Sequence, residues 1–457
     1  MSIIIKGGTI VTPRRSYISD IKIQGEVISE IGENLEDDKA EIIDATGCLL
    51  FPGFIDSHTH LDLDTGYTRT ADNFKTGTAA AIVGGTTTIL DFATQNKGET
   101  LSEALNNWHK LAADVSSCDY GFHMAITEWN EDIKNELKVM KDQGITSYKA
   151  YMAYDSLRLN DGEIYDILKA LKKYNSILGV HCENGDLVNT MIKEQLKEGN
   201  TTPAAHPLSR PNMVEAEAVS RYIDIAKLAK APIYIVHLST KEGLEVALKA
   251  METGQEVYLE TCPQYLLLDD SKYLLEDFES AKYVLSPPLR KDQDIQSLWQ
   301  ALKDEDIDII GTDHCSFNFK GQKDHGINDF SKIPNGIPGV EHRPALMYTY
   351  GVEKGMITKE QMCGLLSENV AKLFGMYPRK GVLRVGSDAD IVIWDGLLKG
   401  TISKDNQKQN VDYTPFEGFE TIGSAKHVFL RGTEVARGGN IIKYNLGKYI
   451  KRGDKDV

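Results

Sequence analysis

Eight short apolar segments between residues 53 and 312 constrain this chain more than any other feature. They are Gly53–Ser57, Thr86–Phe92, Gly121–Ile126, Ser147–Met152, Ile177–His181, Pro232–Leu238, Glu256–Glu260 and Ile307–Thr312. Their length and apolar content fit strands buried in a sheet. Between most of them lie helical patterns, such as Asp161–Tyr174, Val214–Lys230 and Thr240–Thr253, with Leu, Ile and Ala on one stripe. Eight β-then-α units favour a closed (β/α)8 TIM barrel, an α/β fold, over an open doubly wound sheet. No Gly-x-Gly-x-x-Gly or Walker loop follows a strand, which weakens any nucleotide-binding reading.

The ends of the chain have a different texture. Ile3–Lys6, Thr9–Val11, Asp20–Ile23, Val27–Ile31 and Glu41–Ile43 read as short strands, broken by Gly7-Gly8, Gly25 and Gly32. Similar strands return in Gly386–Trp394, Ala425–Arg431 and Thr433–Ala436. A β-rich start and end around a different middle predict one β-sandwich built by both termini. The expected division is 1–49 for the first part of the sandwich, 50–378 for the barrel, and 379–457 for the rest of the sandwich and a tail.

Composition narrows the function. The 457 residues are 41% hydrophobic, enough for a barrel core with a satellite domain. The net charge of −16, from 51 basic against 67 acidic residues, argues against nucleic acid or an anionic membrane as the main partner. Cys48, Cys118, Cys182, Cys262, Cys315 and Cys363 are scattered, with no Cys-x-x-Cys pair, and read as reduced thiols of a cytoplasmic protein. The apolar run before Lys6 is too short for a signal peptide, and no run of 18 apolar residues predicts a membrane span.

Active sites of such barrels sit at the C-terminal ends of the strands, and the polar residues there are informative. Strand one ends in His58-Thr-His60, and i, i+2 spacing on a strand points both imidazoles the same way. Strand four carries Lys149, strand five ends in His181, strand six in His237, and strand eight in Asp313. One strand-end histidine is ordinarily a satisfied core group. Four histidines and an aspartate at matching ends of four strands instead describe a metal site. Lys149 fits poorly as an ammonium, because a cation within ~4 Å of a dication is repelled in a low-dielectric pocket. It must be neutral, pointed away, or modified; carbamylation by CO2 would make it an anion with two oxygen donors.

These segments resemble the dihydropyrimidinase/hydantoinase family of cyclic amidohydrolases, within the wider amidohydrolase superfamily. The resemblance covers almost the whole chain. It rests on Phe54–Asp62, Ala71–Phe74, Gly84–Phe92, the Lys149 and His181 segments, Ser209-Arg-Pro211, Glu260–Tyr265, Ser286–Arg290, Gly311–Cys315, Ile333–Glu341 and Pro415–Gly418. It implies two divalent metals, usually zinc: one held by His58, His60 and Asp313, the other by His181 and His237, with Lys149 bridging them as a carbamate. It implies hydrolysis of dihydropyrimidines to N-carbamoyl-β-amino acids, or of 5-substituted hydantoins to N-carbamoyl-amino acids. Asp313 would carry the proton, Tyr154 would stabilise the oxyanion, and main-chain groups at Ser286 and Asn335 would bind the imide edge. His123, His206 and His314 read as structural or supporting residues. The partner implied is a small cyclic amide, and the assembly a homotetramer (or dimer), with the tail Gly447–Arg452 as a possible contact.

Rival readings are separable on residues. A dihydroorotase would carry an arginine where this chain has Asp62, which would repel an anionic substrate. The Ile333–Glu341 loop resembles the dihydropyrimidinase/hydantoinase form more than an allantoinase. Collapsin response mediator proteins share the fold but have lost metal ligands, and all six candidate ligands are present here. The loop Leu63-Asp-Thr-Gly-Tyr67 departs from the Met-Pro-Phe-Gly-Gly stretch of many relatives and resembles the phenylhydantoinase-like branch. Met152 and Leu157, in the loop Tyr151–Leu159, are candidate apolar walls for a ring substituent.

Overall fold

The computed structural model describes residues 2–455. Its centre is an eight-stranded parallel sheet in sequential order: β6 (Phe54–Thr59), β7 (Thr86–Thr94), β8 (Asp119–Ala125), β9 (Ser147–Tyr151), β10 (Ile177–His181), β11 (Ile233–Ile235), β12 (Val257–Thr261) and β13 (Ile309–Ile310). Helices follow most strands. Asp161–Lys172 is typical: Asn160 caps its first turn and shares a capping box with Glu163, while Ile164, Ile167, Leu168 and Leu171 face the barrel. Strands of a barrel are covered on both faces, and nearly every residue of these strands is buried.

The sheet closes between β13 and β6 with little ladder pairing. A bridge joins Thr59 to His314, and His60 N–H donates to the His314 carbonyl at 2.8 Å. Buried Arg343 adds a stitch from the side: one guanidinium nitrogen donates to the carbonyls of Ile55 (2.9 Å) and Ile310 (2.8 Å). Asp56 accepts from the Thr312 hydroxyl at 2.6 Å and lies 3.9 Å from Arg343.

The termini form a second sheet. Its strands are β1 (Ser2–Val11), β2 (Ser16–Gln24), β3 (Val27–Gly32), β4 (Ala40–Asp44) and β5 (Leu49–Pro52) from the start, with β14 (Ile391–Thr401), β15 (Glu420–Leu430), β16 (Thr433–Arg437) and β17 (Asn440–Ile441) from the end. The two halves join where β5 pairs antiparallel with β14, Leu50 opposite Ile393. A register shift between Ile5 and Gly8 lets β1 pair with β4 through Ser2–Lys6 and with β5 through Thr9–Ile10. Ile3, Ile5, Ile21, Ile23, Leu50, Ile391 and Phe429 fill its core. The fold is therefore the expected TIM barrel with a β-sandwich from both termini.

The tail lies against its own barrel. Ile450 is buried and donates to the Tyr120 carbonyl at 2.7 Å, and the buried Arg452 guanidinium reaches Ser147 Oγ at 2.7 Å. These groups of the tail are engaged within the chain. No helix among the described residues is long and apolar enough to cross a membrane.

Candidate active site

The strand ends bring the predicted ligands together. His58 Nε2 and His60 Nε2 each lie 3.2 Å from Asp313 Oδ1. His181 Nδ1 lies 3.0 Å from His237 Nε2. The two groups adjoin, with the rings of His58 and His237 5.4 Å apart between centroids. Lys149 is buried on the same floor, its Nζ 5.1 Å from the centre of Phe92, and the Phe92 ring also packs on His58 (4.7 Å) and His60 (4.8 Å).

The donors fit metal ions. Two ligands at ~2.05 Å on a tetrahedral ion are about 3.3 Å apart, close to the spacings found here. His58 Nε2 is buried without a hydrogen-bond partner, as a ligand atom would be in the absence of its ion. Its other nitrogen, Nδ1, is 2.6 Å from Glu260 Oε1, and His181 Nε2 is 2.7 Å from Glu183 Oε2. Each carboxylate fixes one proton on the outer nitrogen and leaves the inner lone pair for a metal. Burial lowers the pKa of His58, His181 and His237, the first and last strongly, so all three imidazoles are neutral at pH 7. Burial raises Asp313, but His58 and His60 outweigh it and keep its pKa below the usual carboxylate value. Burial depresses Lys149 to about 8.

Backbone strain marks the same residues. His237 (φ 39°), Asp313 (φ 52°) and Tyr154 (φ 66°) lie in the left-handed region. Non-glycine residues there cost of order 1–3 kcal/mol and persist only where the surroundings over-determine them.

Beside the candidate ligands, the Tyr154 ring lies 5.3 Å from His181 and 5.7 Å beneath the Arg210 guanidinium. Burial raises the Tyr154 pKa against the opposing effects of Arg210, Ser286 and Asn335, which places all three beside the phenol. Ser286 Oγ itself forms no hydrogen bond. Among the described residues, no main-chain hydrogen bond involves the N–H or C=O of Ser286 or Asn335. His60, Asp313, Tyr154 and Asn335 are half-buried, whereas His58, Lys149, His181 and His237 are buried; the former set forms the open side.

The supporting histidines have internal partners. His123 bridges Ser147 Oγ (2.6 Å) and the Ser57 carbonyl (3.0 Å), and His206 donates to the Leu285 carbonyl at 2.7 Å. His314 Nδ1 accepts from Gly339 N–H at 3.0 Å, and Nε2 faces Asp72 at 3.2 Å.

Sequence reading assigned no role to Glu260, Glu183 or Arg210. Glu260 sits near the end of strand seven, the same signal that exposed the ligands. Glu183 follows His181 at i+2, and Arg210 joins Glu183 at 2.5 Å. Only the fold reveals that last contact.

A (β/α)8 barrel with imidazoles and a carboxylate converging at its strand ends defines a metal-dependent hydrolase. The Amidohydrolase family model matches residues 49–435. D-hydantoinase of Geobacillus stearothermophilus is 46% identical over 99% of this chain and 97% of its own length. D-phenylhydantoinase of Escherichia coli (strain SE11) is 40% identical over 99% of this chain and 98% of its own. The crystal structure of dihydropyrimidinase from Brevibacillus agri NCHU1002 superposes with TM-score 0.98 at 45% identity, covering 100% of this chain and 99% of that one. The chain belongs to the hydantoinase/dihydropyrimidinase branch of the amidohydrolase family and is a cyclic amidohydrolase.

Proposed function

We propose that this enzyme opens 5-substituted hydantoins, D-5-aryl hydantoins foremost, and more slowly dihydropyrimidines, using two zinc ions. His58, His60 and Asp313 would hold one ion and His181 and His237 the other, with Lys149 as the bridging carbamate. The depressed Lys149 pKa supports the carbamate, since carbamylation needs the neutral amine that burial favours. Neutral amine adds to CO2 and loses one proton to give the carbamate.

The observation that carries this reading is that Ser286 and Asn335, whose side chains lie beside Tyr154, have main-chain groups without hydrogen bonds among the described residues. Unpaired amide N–H and C=O groups are the complement of an –NH–CO–NH–CO– edge. A bound metal pair supplies Lewis acidity and an acidified water. Asp313, ionised at neutral pH, takes the proton of the attacking water and delivers it to the leaving ring nitrogen. The Tyr154 hydroxyl, protonated because burial raises its pKa, donates to the developing oxyanion. One water is consumed, one ring C–N bond breaks, and an N-carbamoyl acid results.

Tyr67, 58% exposed on the Asp62–Asp72 loop, supports an aryl preference, as do the D-hydantoinase and D-phenylhydantoinase names of the relatives. Met152, buried, and Leu157, half-buried, would wall the substituent. Six free, buried cysteines support a cytoplasmic setting, and family resemblance a homotetramer (or dimer). The division 1–49, 50–378 and 379–457 belongs to the same reading; strand pairing carries the first sandwich segment through Pro52.

The test is ring opening of D- and L-5-phenylhydantoin and 5,6-dihydrouracil by zinc-loaded protein. D-phenylhydantoin should open fastest, and Tyr154→Phe should lower kcat about 100-fold or more with metal content unchanged. Two bound metals with none of the rings opened would overturn the substrate assignment.

A further inference from the structure

Lys323 is fully buried in a short turn of helix, beyond the metal ligands and outside the family motifs quoted above. Its Nζ donates to the carbonyls of Val284 at 2.8 Å and Pro334 at 3.0 Å. Val284 lies two residues before Ser286, and Pro334 immediately precedes Asn335. The Val284 carbonyl also accepts from Gly336 N–H at 3.0 Å, so one oxygen ties both segments together. Gly336 is held at φ +146°, where an added Cβ would meet the Cys315 carbonyl at 2.3 Å. Cys315 N–H in turn donates to the Ile337 carbonyl at 3.1 Å, which carries the lacing to the segment of Asp313.

Two neighbouring carbonyls are engaged as well. Leu285 accepts from His206 at 2.7 Å and Pro287 from the Tyr265 hydroxyl at 2.8 Å. The main-chain groups of Ser286 and Asn335 have no hydrogen bond among the described residues. A buried amine is costly unless its donors are satisfied. Burial lowers Lys323 to about 7, and a neutral amine has two N–H donors for two carbonyls.

We infer that Lys323 is a positioning residue for substrate recognition, clamping the Val284 and Pro334 carbonyls so that Ser286 and Asn335 present main-chain groups at the spacing of a cyclic imide edge. The inference rests on the ring-edge reading proposed above. Because the clamp orders the groups that bind the edge and touches neither Asp313 nor the Tyr154 hydroxyl, its loss should raise KM far more than it lowers kcat.

The experiment uses zinc-loaded Lys323→Met, which removes both donors, and Lys323→Gln, which keeps an amide donor. Kinetics are measured on D-5-phenylhydantoin, with metal content and hydrogen exchange of the free enzymes. Lys323→Met should raise KM at least tenfold with kcat within threefold and unchanged metal content. Lys323→Gln should fall between it and wild type. Peptides spanning 283–287 and 333–337 should exchange faster in both variants. KM within twofold of wild type, or a loss confined to kcat, would overturn the inference, and so would unchanged exchange. If Lys323→Met does not fold, Lys323→Gln carries the same criteria. If wild type binds metal but opens no ring, the functional reading fails by itself. The clamp then stands or falls on exchange at Gly336 and its neighbours.

Discussion

Glu260 shows how much of the site is set one residue at a time. Its carboxylate faces His58 Nδ1 at 2.6 Å, accepts His237 N–H at 2.9 Å and takes the Tyr234 hydroxyl. Burial raises its pKa to about 7. Partners of this kind fix the tautomer of a metal-binding imidazole. Glu260→Gln should therefore weaken metal retention about 10- to 100-fold, with activity restored by excess zinc. Competition with a chelator of known affinity measures this, and unchanged retention would remove Glu260 from the site. The six ligand candidates were legible because five stand at or just past strand ends, while Lys149, inside β9, lies in a recognisable family segment. Lys323 was not, because its role depends on which carbonyls it meets, and these lie 39 and 11 residues away in the chain.

At the scale of elements, strand existence was legible and strand ends were not. β10 spans Ile177–His181 as read, whereas the run Ile307–Thr312 supplies only Ile309–Ile310 as strand. Thr312 is drawn off by Asp56, and Asp313 turns into the left-handed region to face the histidines. Similarly, Gly386-Ser-Asp-Ala, read as the start of a strand, forms a turn, with Gly386 at φ +92° and β14 beginning at Ile391. Because β13 is so short, side chains hold the barrel seam. Removing Arg343 would leave two buried carbonyls without their donor and Asp56 without its nearest cation. Arg343→Met should destabilise the fold by about 3–5 kcal/mol, the range for breaking a buried charge pair. A urea-unfolding midpoint equal to that of wild type would show that the ladder closes the barrel unaided.

For the whole molecule, buried histidines set the response to acid. Burial holds His206 and His342 at about 3, against an ordinary value of 6.5. Between these values the unfolded chain binds protons that the folded chain does not, so stability falls as pH falls. The loss begins near pH 6.5 and is complete near 3, at ~1.4 kcal/mol per pH unit for each histidine. Urea unfolding of metal-free protein at pH 7 and 5 should show this fall, and His342→Gln should reduce it. Identical pH dependence in the two proteins would refute the assignment.

The sequence by itself determined the barrel, the sandwich split between the termini and the six ligand candidates. Those follow from local periodicity, from residue types at strand ends and, for Lys149, from the family resemblance. Tertiary structure alone decided the seam stitched by Arg343, the partners of the outer imidazole nitrogens, and the clamp at Lys323. Each of these pairs groups far apart in sequence, and burial leaves them few other partners. The tail shows the same division: in sequence it read as a possible contact between subunits, and packing sets the Arg452 guanidinium against Ser147 of its own barrel.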